Sequence, residues 1–208
     1  VPVADPGPGQ AGRTWATCPR AAWQAGNMDR LWTIGHSTRT LEAFVAMLRE
    51  AGIACVADVR RFPGSRRHPQ FGAEALAAGL AGAGIGYGHM PALGGRRRPR
   101  PDSPHTGWRH AGFRGYADYM DTPAYAAARE RLFALARRTP TAVMCAEATW
   151  WTCHRGLIAD DAKARGWTVI HLLAPGDARE HPWTSAARLV DGRLDYGAPD
   201  DDQGRLPL

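Results

Sequence analysis

Residues 141–173 read TAVMCAEATWWTCHRGLIADDAKARGWTVIHLL, and their pattern decides the fold. Thr141 to Met144 is a short apolar run suited to a buried parallel strand, and Thr168 to Leu173 is a second with the same β-branched character. Between them Leu157, Ile158 and Ala162 fall at helical spacing, Asp160, Asp161, Lys163 and Arg165 supply a wet face, and Gly166 marks the stop. A strand–helix–strand unit follows, with a right-handed crossover. Its turn residues, Cys145, Glu147, Trp150, Trp151, Cys153, His154 and Arg155, are then carried to the carboxyl end of the sheet, where open α/β folds bind ligands.

The same alternation runs upstream. Leu31 to Ile34 is an apolar strand ending in Gly35-His36-Ser37-Thr38, and a helix follows, capped by Thr40, with Leu41, Phe44, Val45 and Leu48 as its buried stripe and Gly52 as its stop. Ile53 to Val59 is a second strand, and it opens into the most basic turn of the chain, Arg60-Arg61-Phe62-Pro63-Gly64-Ser65-Arg66-Arg67. Ala73 to Ala83 reads as a helix, and Ile85 to Met90 as a strand leading to Leu93-Gly94-Gly95. Residues 96–114 hold six arginines, two histidines and three prolines with no apolar period, the signature of a long functional loop. Tyr116 to Met120 and Pro123 to Arg138 read as helix, and Ala187 to Val190 as a short regular segment. Strands alternating with helices predict an α/β fold, a three-layer sandwich with a mainly parallel central sheet of about five strands.

A chain of 208 residues that is 44% hydrophobic can bury one core, so residues 28–208 are read as a single α/β domain. Residues 1–27, rich in Gly, Pro and Ala and lacking the apolar run of a signal peptide, are read as an extension upstream of Met28, and residues from about 197 as a fraying tail. Four cysteines (Cys18, Cys55, Cys145, Cys153) are too few and too irregular for a secreted disulfide scaffold, and no run reaches transmembrane length. The expectation is a cytoplasmic protein with no membrane partner. Lys163 is the only lysine in a chain of net charge +6. A codon preference for arginine is one reading of that bias; the other is bidentate recognition of phosphate or carboxylate.

Thr33-Ile34-Gly35-His36-Ser37, Asp58-Val59-Arg60 with Pro63 and Ser65, Leu93-Gly94-Gly95, Tyr116-Ala117-Asp118-Tyr119-Met120, and Cys145-Ala146-Glu147 followed by Cys153-His154-Arg155 form an ordered set. Taken in that order over Leu31 to Leu173, they resemble the bacterial family called domain of unknown function 488. The resemblance implies a fold and a constellation of residues, and it names no activity. The chain departs from the family pattern at Trp150-Trp151.

Six polar groups, His36, Asp58, Arg60, His89, Cys145 and Glu147, fall at or just past the carboxyl ends of strands. His89 and His171 are assigned to structure. Cys153 precedes a helix start, where backbone N–H groups, the macrodipole and Arg155 favour a thiolate, so it is the candidate nucleophile; the bland alternative is an ordinary buried thiol. Cys145 lacks those donors and should titrate higher. Glu147 and Asp58 are candidates to move a proton, and His36 and His154 to assist, although Asp58 suits holding the arginine turn that follows it somewhat better. The candidate catalytic set is therefore Cys153, Glu147, Asp58, His154, His36 and Cys145. The substrate-binding set is Arg60, Arg61, Ser65, Arg155, Gly94, Gly95 and Trp151.

No metal is assigned. The spacing of Cys145 and Cys153 is not that of a zinc knuckle, and a neighbouring Cys and His at a helix start should point apart. A metal or redox site on Cys145, Cys153 and His154, with Glu147 and His36 in reach, stays as an alternative. The first functional reading is an enzyme acting on an anionic substrate, phosphate-bearing or nucleotide-like, in a cleft at the strand ends. The other is a nucleic-acid binding module that uses the arginine loops, with Trp108, Phe113, Trp150 and Trp151 to stack bases. The residues name no cofactor.

Overall fold

The computed structural model describes Cys18, residues 29–64 and residues 66–198. Ser65, the rest of the N-terminal stretch and the tail from residue 199 lie outside the described residues.

The chain alternates as the periodicity predicts. The central sheet is built from β1 (Arg30–Gly35), β2 (Cys55–Asp58), β3 (Gly86–His89), β4 (Thr141–Cys145), β5 (Thr168–Ala174) and β6 (Asp177–Glu180) in the order β3-β2-β4-β1-β5-β6. The first five strands pair in parallel, and β6 joins β5 antiparallel, so the sheet has one strand more than the sequence reading counts. The extra strand escapes that reading because DARE, at a sheet edge, is polar on both faces. Between the parallel strands run α1 (Leu41–Glu50), α2 (Ala73–Gly82), α3 (Ala111–Met120), α4 (Pro123–Ala136) and α5 (Arg155–Ala164), and a small hairpin, β7 (Arg188–Val190) with β8 (Arg193–Asp195), follows.

Two apolar layers hold the helices to the sheet. Phe44, Val45 and Leu48 of α1 and Leu76 and Leu80 of α2 pack on Trp32, Ile34, Val56, Ala142 and Met144. Tyr116 of α3, Leu132 and Phe133 of α4, and Leu157 and Ile158 of α5 pack with Leu31, Ala57, Val143 and Val169. The strand residues in the two sets alternate along each strand, as the two-residue period of a pleated strand requires. A three-layer sandwich results. Among the described residues no helix is long and apolar enough to cross a membrane.

Local signals set the helix ends. Thr40 Oγ1 accepts from Ala43 N at 3.2 Å to start α1, and Thr122 Oγ1 accepts from Tyr125 N at 3.3 Å to start α4 behind Pro123. Gly52, at φ 66°, closes α1 in a conformation glycine adopts without strain. The arginine-rich stretch is shorter as a loop than its composition suggests, since α3 already begins at Ala111. Helix α3 was hidden by Gly112 and Gly115, which weaken a helical pattern, and it starts where His110 Nδ1 accepts from Gly112 N. Cys18 is joined by a disulfide to Cys55 at the start of β2, with their Cα atoms 5.4 Å apart. That pairing ties Cys18 to the sheet, and the irregular cysteine spacing gave no sign of it.

Strand order fixes where a ligand can sit. From β1 the chain passes to β2 and β3 through α1 and α2 on one face; from β3 it returns to β4 and β5 through α3, α4 and α5 on the other. The connections therefore diverge where β4 lies between β1 and β2. In open α/β sheets a crevice forms beyond the carboxyl ends of such strands.

Candidate functional site

At that point the structure has a cleft of about 1020 Å³. Its floor is made by the residues that leave β1, β2 and β4: His36, Arg60 and Cys145, joined by Glu147, Cys153 and His154 from the β4–α5 loop. Arg61, Arg66, Arg67 and Arg96 complete the arginine lining, and Glu147 is the one carboxylate among the lining residues.

Arg60 is held from behind. Its Nε donates to both oxygens of Asp58 at 2.9 and 3.1 Å, and its Nη2 donates to Asp58 Oδ2 at 2.6 Å. Asp58 also accepts from Arg60 N at 3.0 Å and from Tyr87 OH at 2.8 Å. A fully buried carboxylate with those partners orients the arginine and has no path to a substrate proton, so the geometry favours the holding role over that of a base. Tyr87 is kept as a phenol, chiefly by burial and then by the Asp58 charge.

His36 is also a positioning group. Its ring stacks on Phe71 at 4.3 Å, Nδ1–H donates to Ser37 O at 2.9 Å, and Nε2 accepts from Arg60 Nη1 at 3.3 Å. Burial, outweighing the Ser37 hydrogen bond, lowers its pKa to about 4, so the ring is neutral and its acceptor nitrogen faces the guanidinium. The second N–H on each terminal nitrogen of Arg60 is what this assembly presents to the cleft. Ser37, at φ 47°, lines the same cleft, and its amide donates to Ala146 O at 2.8 Å.

The β4–α5 loop brings two thiols and an imidazole together. Cys145 ends β4. Cys153 is extended at φ −134° and ψ 147°, whereas His154 has already turned helical at φ −58° and ψ −12°. That break between adjacent residues swings the imidazole back, placing His154 Nδ1 at 3.6 Å from Cys153 Sγ and at 4.0 Å from Cys145 Sγ. The expectation that a Cys-His pair at a helix start points apart is corrected here: it assumed helical angles at both residues. Cys145 Sγ also lies 3.4 Å from Glu147 Oε2. His154 Nε2–H donates to Val59 O at 3.3 Å, so Nδ1 is the ring nitrogen that faces the sulfurs.

The two thiols are unequal. Burial weighs most on Cys153 and opposes its thiolate, but the hydrogen bond from Cys145, the charge and hydrogen bond of His154, and the Arg155 charge bring its pKa well below that of a free thiol. Cys145 is pushed well above, first by its hydrogen bond to Cys153 and then by burial. The order is the one the sequence reading expects, but its causes are the neighbouring thiol, His154 and Arg155 rather than the helix start. Cys145 Sγ, Cys153 Sγ and His154 Nδ1 all lie within 4.8 Å of one another and are a group able to hold a metal ion.

Arg155 is not in the cleft lining. It is buried, donates from Nη2 to Glu147 O at 2.6 Å, and reaches Thr33 Oγ1 from Nη1 at 3.5 Å. Its place is behind the loop, where it holds the carbonyls that turn the chain from β4 to α5. Gly95 and Trp151 line the cleft, and Gly94 packs on the backbone of Arg61 instead. A Cβ on Gly95 would stand 2.8 Å from His154 Nδ1, so a larger residue would intrude on the ring. Glycine is likewise required at Gly35, where a Cβ would lie 1.7 Å from Glu147 O.

The sequence reading gave Arg66, Arg67, Arg96 and Phe113 to the nucleic-acid alternative and left them out of the substrate-binding set, and all four line the cleft. It passed over a second polar centre behind the loop. There Thr33 Oγ1 donates to His171 Nδ1 at 2.6 Å, His171 Nε2 to His181 Nδ1 at 2.8 Å, and His181 Nε2 to Asp160 Oδ1 at 2.9 Å. Trp150 stacks on His171 at 4.8 Å and so anchors the loop to this chain of bonds.

Residues 40–161, more than half of the chain, match the family described as Domain of unknown function DUF488. No curated protein and no solved structure matches the chain.

Proposed function

The chain belongs to the DUF488 family, whose description carries no activity, and we propose from the site itself that it is an enzyme acting on an anionic, phosphate-bearing or nucleotide-like substrate. The observation that carries the reading is the arginine-lined cleft at the carboxyl ends of β1, β2 and β4, with the Cys145, Cys153 and His154 cluster on its floor. Arg60, pre-oriented by Asp58 and His36, holds the anion without the entropy cost that a free arginine would bear. Arg61, Arg66, Arg67 and Arg96 raise the local anion concentration. Cys153 supplies the nucleophile, and Glu147, beside Cys145, moves a proton. Trp151, 53% exposed, and Phe62, 65% exposed, offer faces for a base.

Those two exposed rings also favour a second reading, a groove for single-stranded nucleic acid. One calorimetric series separates the two. On the enzyme reading, inorganic pyrophosphate binds to the full chain, Arg60→Ala weakens it at least about tenfold, and bound pyrophosphate slows alkylation of Cys153. Pyrophosphate binding that is indifferent to Arg60→Ala overturns the enzyme reading. Tight oligonucleotide binding with a steep loss between low and moderate salt establishes the groove instead.

A further inference from the structure

We propose that Cys145 Sγ, Cys153 Sγ and His154 Nδ1 bind one soft divalent cation of the zinc class, with a fourth coordination position open to the arginine-lined cleft. The ligand type fits: two thiolates and one imidazole suit zinc above magnesium, calcium or manganese. So does the geometry. Zinc bonds of about 2.3 Å to sulfur and about 2.0–2.1 Å to nitrogen, in tetrahedral arrangement, put a sulfur and a nitrogen ligand about 3.6 Å apart. His154 Nδ1 stands 3.6 and 4.0 Å from the two sulfurs, so both nitrogen–sulfur edges match that spacing to within a few tenths of an ångström, and all three atoms lie within 4.8 Å of one another.

Two further observations point to a ligand. A metal-binding histidine commonly spends its other N–H on a backbone carbonyl, which fixes the tautomer and aims the ring. His154 Nε2–H does this with Val59 O at 3.3 Å. Space beside the coordinating nitrogen is kept by Gly95, whose missing Cβ would stand 2.8 Å from Nδ1. The three ligands come from β4, the end of the β4–α5 loop and the residue just before α5, and both loop ends are fixed: His36 N donates to Cys145 O at 3.0 Å, and Arg155 holds Glu147 O.

Three protein ligands and one open position are the composition of a catalytic rather than a closed structural zinc site. The fourth position faces the cleft that the ligands themselves line, where an anionic oxygen of a substrate held by Arg60 can enter. Binding the dication releases the thiol protons to solvent, and the two thiolates neutralise its charge. A thiolate held on zinc remains a nucleophile without needing a base. The inference rests on the proposed function only in sharing its cleft.

Three measurements on the full chain test it. Elemental analysis of protein purified without chelators should give one zinc per chain. After chelation, titration with cobalt(II) should give one equivalent, with thiolate-to-cobalt absorption in the near ultraviolet and tetrahedral bands in the visible. Cys145→Ser, Cys153→Ser and His154→Ala should each weaken cobalt binding by more than the roughly 10–100-fold that losing an outer-shell partner costs. Glu147→Gln should leave the stoichiometry unchanged; metal lost in that variant overturns the open fourth position. Failure of wild-type protein to take up cobalt with thiolate absorption overturns the site, whatever the variants do. If pyrophosphate binding through Arg60 persists in that case, only the metal inference has failed. If metal binds while pyrophosphate binding is indifferent to Arg60→Ala, only the anion reading has failed.

Discussion

At the scale of single residues, the site depends on where a side chain is absent as much as on where one is present. Gly35 ends β1 against the carbonyl of Glu147, where a Cβ would lie 1.7 Å from the oxygen. The obstacle is backbone on both sides, so no side chain can swing away. Gly35→Ala should therefore destabilise the fold by about 1–3 kcal/mol or more, the range for overpacking a tight contact. Denaturant unfolding checks it, and a midpoint within error of the parent protein refutes it. Gly95→Ala differs in kind, because the atom it meets belongs to a side chain, the His154 ring.

Among the elements, the β4–α5 loop is the one that organises the cleft, and a buried arginine organises the loop. Arg155 bonds Glu147 O and Thr33 Oγ1, while Thr33, His171 and His181 pass a directed series of hydrogen bonds to Asp160. Asp160 also accepts from Thr184 Oγ1 at 2.6 Å and from Tyr196 OH at 2.9 Å, so the carboxylate at the far end is satisfied by neutral donors. Arg155→Met keeps much of the buried volume and deletes the bonds to the loop. Amide exchange over residues 146–154 should then accelerate at least about tenfold, the exchange equivalent of losing one net hydrogen bond. The amides of α1 and α2, packed on the other face of the sheet, should keep their protection. Unchanged exchange in the loop would mean that Trp150 stacking on His171 anchors it alone.

For the molecule as a whole, two buried histidines set a pH dependence with a definite sign. Burial lowers His36 to about 4, and burial, ahead of every other cause, lowers His171 to about 2. In the unfolded chain both return to about 6.5. Below that pH the unfolded chain binds protons that the folded chain refuses, so stability is fully present above about pH 6.5 and is lost as pH falls toward 4. His171, more deeply buried, contributes up to about 1.4 kcal/mol per pH unit over that window, and His36, beside the water of the cleft, contributes less. Unfolding free energies measured at about pH 7 and about pH 5 check this, and stability that is flat or rises toward pH 5 contradicts it.

The elements were legible in the residues because their signals are local: apolar runs at 31–34 and 168–173, the Thr40 cap, the stripe of Phe44, Val45 and Leu48. Local signals also placed His36, Arg60, Cys145 and Glu147 beyond strand ends, and strand ends share one edge of any parallel sheet. Edge strand β6 and the first turn of α3 lacked a period and were not legible. What only the tertiary structure decided is which strands are neighbours. The order β2-β4-β1 sets Arg60, Cys145 and His36 side by side, and that order depends on which crossovers bury the most apolar surface, a property of pairs of distant segments. The division of labour among the site residues was decided there as well. Asp58 and Arg155 read alike as charged groups near a cleft, yet one is sealed under Arg60 and the other behind the loop, because burial depends on what the rest of the chain lays over a residue.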